Sequence, residues 1–131
     1  VLPRMKHDLV PVLLACCDGT LGNLSLEWDE GACVTVVMAS GGYPGAYQKG
    51  KTIEGIAEAE QETGAIVFHA GTKTANGALV TNGGRVLDVT AKGADIPGAI
   101  RSAYAAVERI RFEDAHYRSD IGRKALNRMG K

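Results

Sequence analysis

Aromatic side chains are scarce in this sequence, at 5% of residues, with a single tryptophan. A base-stacking platform needs several rings in register, so the scarcity argues against a single-stranded nucleic-acid surface. An excess of either charge sign is also missing. Lys+Arg and Asp+Glu both number 15, and the formal net charge is zero. Nothing global draws such a chain to nucleic acid or to an anionic membrane. No apolar run approaches the ~20 residues a membrane-spanning helix needs, and no secretory signal is visible. Cysteine is limited to Cys16, Cys17 and Cys33. Two are adjacent, the count is odd, no CxxC pair occurs, and all three lie in apolar runs. Free, buried thiols in a reducing, cytoplasmic setting are the expectation. The three histidines, His7, His69 and His116, are widely separated. The acids Asp8, Asp18, Glu27, Asp29 and Glu30 show no ligand spacing. No metal site and no catalytic constellation is therefore predicted.

What is present fits one core, or one domain plus a piece of another. The chain has 131 residues, 45% of them apolar and 23% charged, an ordinary balance for a globular protein. It begins Val-Leu-Pro rather than Met, which fits either processing or a segment of something longer. Its centre is Cys33–Gly50. Cys33 to Ser40 is a β-branched apolar run that predicts a buried strand. Gly41-Gly42-Tyr43-Pro44-Gly45 then stops it, because Gly opens backbone angles closed to other residues and Pro fixes φ and removes a donor. Such a turn, followed by Tyr47 and Lys49, reads in two ways: a cradle of amides and a cation for an anionic ligand, or a plain connection.

Ahead of that strand, Met5, Leu9, Val12, Leu13 and Cys16 recur at helical spacing across Arg4–Asp18. Pro11 does not suit a helix interior. Either the helix kinks near His7 or it starts near Pro11, and Gly19 caps its end. Leu21–Glu30 reads as a linker with Trp28 tucked against a neighbouring surface. After the turn, Lys51–Glu54 is predicted extended and Gly55–Thr63 helical, closed by Gly64. Ala65–Ala70, Ala78–Thr81 and Arg85–Ala91 read as three strands, with turns at Gly71–Gly77, where Asn76-Gly77 is a hairpin signal, and at Asn82-Gly83-Gly84. That predicts an antiparallel meander. Asp95 caps a helix over Ile96–Arg111 whose apolar face is Ile96, Ala99, Ile100, Ala103, Val107 and Ile110, with Arg109 and Arg111 at its C-terminal end. A last short helix is predicted from Asp120 through Leu126. The fold class is α+β: a small antiparallel sheet covered by a helix, with a helix in front that belongs elsewhere.

Two glycine-rich turns flank the predicted hairpin. Gly71, Thr72 and Lys73 leave one strand, and Gly84 and Arg85 enter the next. A hairpin places such ends side by side, so Thr72, Lys73 and Arg85 are candidates to share a phosphate, with Arg offering a planar fork and Lys a point charge. A plain structural hairpin is the competing reading. His69 likewise reads as a satisfied rim histidine or as a donor to a ligand held by Gly71 and Thr72.

Taken in order, VVMASGGYPGAYQKG, IVFHAGTK, VTNGGRVLDVTA and YRSDIGRKAL resemble the C-terminal end of the glycinamide ribonucleotide synthetase (phosphoribosylamine–glycine ligase) family, and PRMKHDLVPVLLACCDGTL resembles the last helix of its ATP-grasp domain. His7, Pro11 and Arg123 depart from the family's pattern. The resemblance implies domains at 1–22, the terminal ATP-grasp helix, and 23–131, the family's C-terminal domain. It implies a purine-biosynthetic ligase that joins glycine to phosphoribosylamine, with ATP becoming ADP and phosphate through glycyl phosphate. ATP and Mg²⁺ (or Mn²⁺) would be bound upstream, this chain alone would be inactive, and the upstream ATP-grasp domain would be its partner. It also implies that the hairpin supplies basic residues to the ribose phosphate, matching Thr72, Lys73 and Arg85; with the glycine-rich turns read above, the candidate substrate-binding residues are Gly42, Tyr43, Pro44, Gly45, Lys49, Gly71, Thr72, Lys73, Gly84 and Arg85. The alternative is a non-catalytic interaction or carrier-like module, which needs an exposed acceptor lysine at a hairpin tip. Lys73 is the candidate, although it is flanked by Thr72 and Thr74.

Overall fold

The computed structural model describes residues 1–129. Two nine-residue strands form its spine: β1 (Ala32–Ser40) and β5 (Arg85–Gly93). They pair antiparallel from Ala32 opposite Gly93 to Ala39 opposite Arg85, with a register shift between Met38 and Ala39. The short strand β2 (Ile66–His69) joins the far edge of β5, and β6 (Ala115–His116) joins the end of β1, giving the order β2-β5-β1-β6. One sheet face is dry. Val36, Met38, Leu87 and Val89 are buried there beneath helix α3 (Ile96–Val107), whose Ala99, Ala103, Ala106 and Val107 are buried in turn. Alternation along the strands explains the rest: Thr35, Val37, Ile66 and Phe68 fall on the other face and stay exposed.

Helix α2 (Ile56–Thr63) flanks this core and ends at Gly64, whose φ of +67° places it in the left-handed region. Arg109 links the two helices. Its Nε donates to Glu62 at 2.6 Å and its Nη1 to the Ala105 carbonyl at 2.7 Å. Helix α3 is capped by Asp95, whose carboxylate accepts from the Gly98 amide at 2.7 Å. It stops at Val107, short of the predicted Arg111, because residue 111 pairs instead with Glu54 in an extended bridge.

Several expectations are corrected. The first helix, α1, is Leu9–Cys17, so the later start is the right one. Asp8 caps it by accepting from the Val10 amide at 2.9 Å, and Pro11 falls third in the helix, where no N–H is required. Residues 2–4 make a separate 3-10 turn. The thiols are not all buried: Cys16 and Cys17 are exposed and Cys33 is intermediate, since α1 buries only Val12 and Ala15. Trp28 is also exposed, its backbone bridged to Met5. Gly71–Gly77 is not wholly a turn. It contains β3 (Thr72–Ala75), which pairs with β4 (Ala78–Thr81) as a separate two-stranded hairpin, while β2 pairs directly with β5. The hairpin is an excursion between two paired strands, so β4 does not lie next to β2 in one meander. The last helix, α4, is Arg123–Met129, and Asp120 sits ahead of it in an ion pair with Arg118 at 2.8 Å. No helix among the described residues is long and apolar enough to cross a membrane.

Candidate functional site

The Gly-rich loop after β1 is held by Ser40. This buried residue donates from Oγ to the Gly83 carbonyl at 2.9 Å, and its amide donates to the Gly84 carbonyl at 2.8 Å. Both bonds tie the end of β1 to the turn that enters β5. Gly42 has φ +93°, and a Cβ there would lie 2.1 Å from the Ala46 carbonyl oxygen, so glycine is needed for backbone angle and space together. Gly45 is less constrained: its backbone is not left-handed, and a Cβ would meet the Gly42 oxygen at 3.1 Å. The Tyr43–Pro44 peptide is cis. Tyr43 packs its ring against Gly84, where a Cβ would fall 2.2 Å from the ring, and meets Tyr47 edge-on at 6.3 Å between centroids. The two glycine-rich stretches therefore meet, although they lie some forty residues apart in sequence.

At the base of the β3–β4 hairpin, Gly71 and Gly83 touch through their backbones. A Cβ on Gly71 would come within 2.7 Å of the Gly83 Cα. The Gly71 amide donates to the Arg85 carbonyl at 2.9 Å, and the Asn82 amide donates to the Gly71 carbonyl at 2.7 Å. These glycines serve close packing, and the Gly71 amide is already committed. The Asn76-Gly77 tip has positive φ at both residues, +51° and +77°, as a two-residue hairpin turn requires. Arg85 and the exposed Lys73 form no ion pair among the described residues, nor does Lys49. Thr72 lies opposite Thr81 and Lys73 opposite Val80, so their side chains leave opposite faces of β3. The structure thus brings Gly71, Thr72, Gly84 and Arg85 to the hairpin base beside Tyr43, and turns Lys73 away from Thr72. His69 reaches Thr72, Nδ1 to Oγ1, at 3.2 Å. Lys73 also lies on a strand rather than at the hairpin tip, where a carrier's acceptor lysine would stand.

Next to this base is a cleft of about 380 Å³, lined by Ser40, Gly41, Ala46, Tyr47, Gln48, Lys51, Glu113 and Asp114. Three segments build it. The chain at Lys51 is strapped to buried Thr81, whose amide donates to the Lys51 carbonyl at 2.8 Å while its Oγ1 accepts from the Lys51 amide at 3.1 Å. Lys51 pairs with Glu113 at 2.7 Å. Asp114 is in the left-handed region at φ +59°. Gly41 backs onto it so closely that a Cβ would lie 2.8 Å from the Asp114 Cβ. Of these residues the sequence had pointed only to the Gly-rich loop. Lys49, two residues before Lys51, is exposed and does not line the cleft. Nothing local to Glu113 and Asp114 marks them as neighbours of residues 40–51. Among the described residues, no group of three or more His, Cys, Asp or Glu side chains is placed to hold a metal ion.

The family model for the phosphoribosylglycinamide synthetase C domain matches residues 33–124, the stretch that holds the sheet, the hairpin and the cleft. The chain belongs to that family. It is 52% identical over 127 residues to a phosphoribosylamine–glycine ligase of Synechocystis, covering 96% of this chain and 30% of the relative. It is 48% identical over 129 residues to the Escherichia coli enzyme of the same name, covering 98% and 30%. Among solved structures, the crystal structure of the Thermotoga maritima phosphoribosylamine–glycine ligase superposes with a TM-score of 0.69 at 37% identity, over 85% of this chain and 27% of that one. The chain thus spans about 30% of the length of these curated relatives. The α+β class and the C-terminal-domain assignment read from the family's motifs agree with these findings.

Proposed function

We propose that this chain is the C-terminal part of a phosphoribosylamine–glycine ligase and that its hairpin base holds the phosphate of the phosphoribosyl substrate. The observation that carries the first half is the 52% identity to a ligase of that name across nearly the whole chain. In this reading residues 1–22 close an ATP-grasp domain and residues 23–131 form the C-terminal domain. The parent enzyme joins glycine to phosphoribosylamine at the expense of ATP. Mg²⁺ or Mn²⁺ would neutralise the transferring phosphoryl group. Among the described residues no group of side chains fits that metal, and no step on it is assigned to them.

The second half rests on Arg85. It is an exposed guanidinium that forms no ion pair among the described residues, beside the turn against which the Tyr43 ring packs. A planar fork of donors suits a phosphate dianion, and Asp88, the nearest carboxylate in sequence, makes no ion pair with it. The work assigned to this chain is therefore binding and orientation. A chimaera tests the first half: the Escherichia coli enzyme with its matching segment replaced by this chain is expected to form ADP with glycine and phosphoribosylamine. A folded but silent chimaera, or turnover by this chain alone, overturns it. For the second half, Arg85→Ala and Arg85→Lys in the full-length protein should raise KM for phosphoribosylamine roughly ten- to a hundredfold, the equivalent of losing a hydrogen bond to a charged group. An unchanged KM in both folded variants overturns the phosphate role.

A further inference from the structure

The cleft beside the hairpin base has a charge balance of its own. Among the described residues Lys51 is the cation that lines it, and Glu113 takes that charge at 2.7 Å. The Lys51 side chain is only 22% exposed, so it is poorly placed to serve a second anion. Asp114 then leaves the cleft with one uncompensated negative charge. The Asp114 carboxylate, the Tyr47 hydroxyl and the Gln48 amide have no hydrogen-bond partner among the described residues. They face about 380 Å³ of open volume, a space for a small polar molecule. The anionic end of a ligand would meet Asp114 unfavourably. An amine would meet it favourably, with Tyr47 and Gln48 left to hydrogen-bond hydroxyl or carbonyl groups.

We infer that this cleft is the binding site for the amine end of a reactant, with Asp114 as the group that receives the amine. The inference rests on the ligase reading, in which phosphoribosylamine and glycine are both amine-bearing reactants. The cleft also adjoins the proposed phosphate position, because Ser40 lines it while bonding to the Gly83 and Gly84 carbonyls just ahead of Arg85. A phosphorylated aminosugar that spans the two positions would have its phosphate at Arg85 and its amine at Asp114.

Asp114→Asn removes the charge and keeps a residue that tolerates the left-handed backbone there, so the fold should survive it. In the full-length protein this variant is expected to raise KM about tenfold for one amine-bearing reactant, with KM for ATP unchanged. Tyr47→Phe, which keeps the ring beside Tyr43, should move the same constant in the same direction by a smaller factor. Lys92→Gln, at the other end of the sheet, is the control and should move none. A rise for phosphoribosylamine assigns the aminosugar to the cleft, and a rise for glycine assigns the amino acid. Constants unchanged within twofold in both variants, or an equal rise that includes ATP, would overturn the inference. Absence of ADP formation by the unmutated full-length protein would sink the ligase reading instead. Calorimetric binding of phosphoribosylamine and of glycine then decides the cleft separately: weaker binding to Asp114→Asn supports it, and equal or absent binding rules it out.

Discussion

Helices α1 and α3 are both rich in apolar residues, yet they meet opposite fates. In α3 these residues share one face, and Ala99, Ala103, Ala106 and Val107 disappear against the β1–β5 sheet. In α1 they run all round the helix. Only Val12 and Ala15 are buried, while Val10, Leu13 and Leu14 are 53–60% exposed. Apolar content alone therefore does not mark a core. What places a helix in the core is a single face that matches a single surface. A helix that is apolar on every side is built to be covered on several, and here only the side of Val12 and Ala15 is covered.

The sharpest way to break this comparison is to cut equivalent side chains from the two regions. Leu87→Ala, at 0% exposure on β5, should cost about 2–5 kcal/mol by denaturant unfolding. Leu14→Ala in α1 should cost less than about 1 kcal/mol in this chain. Similar losses would show that α1 is packed after all. In the full-length protein the Leu14 cost should rise if other parts of the protein cover that face.

The loop glycines give the next largest effect. Gly42→Val places a β-branched residue at φ +93° with its Cβ on the Ala46 carbonyl, at roughly 1–3 kcal/mol for the backbone conformation alone. Gly45→Val should cost clearly less, and Gln48→Ala least of the three. Thermal melts that rank Gly45→Val with Gly42→Val would contradict the geometry of the loop.

Both helices are capped by an aspartate, which allows a matched pair of smaller changes. Asp95→Ala removes the carboxylate that accepts from Gly98 and should cost about 1 kcal/mol. Asp8→Ala, on the exposed helix, should cost less, because fraying of α1 gives up little buried surface. Equal shifts in melting temperature would mean that the two helices are equally coupled to the fold.

The smallest effect is electrostatic and concerns the tether between the two regions. Lys92 on β5 hydrogen-bonds Asp29 at 2.9 Å, and this bond, with the attraction of the same charge, holds the Asp29 carboxyl below its ordinary range. Arg118 does the same to Asp120. Both carboxyls titrate lower in the folded chain than in the unfolded one. Their contribution to stability is complete above the ordinary carboxylate pKa of about 3.9 and is lost as pH falls through the lower folded value. Asp29→Asn should slightly flatten the acid limb of the stability profile, and added salt should shrink the difference. A flattening that persists at high salt would argue against this ion pair as its source.

The sequence by itself determined the elements whose signals are local. The β-branched run of β1 and the caps at Asp95, Gly19 and Gly64 were legible because backbone preference and one-faced burial act over a few residues. So was the tip at Asn76-Gly77. The family motifs were legible for a similar reason, being contiguous strings. Tertiary structure decided what depends on partners distant in the chain. Residues 72–75 hold no apolar run to mark a strand, and they became β3 because β4 and the extended chain at Lys51–Ile53 lie alongside the hairpin. Gly84 is required by the ring of Tyr43, and Gly71 by Gly83. The cleft exists only because Lys51, strapped to Thr81, meets Glu113 and Asp114 from beyond α3. No periodicity or spacing encodes such a meeting, since the contact is made between side chains that share neither a helix face nor a strand register.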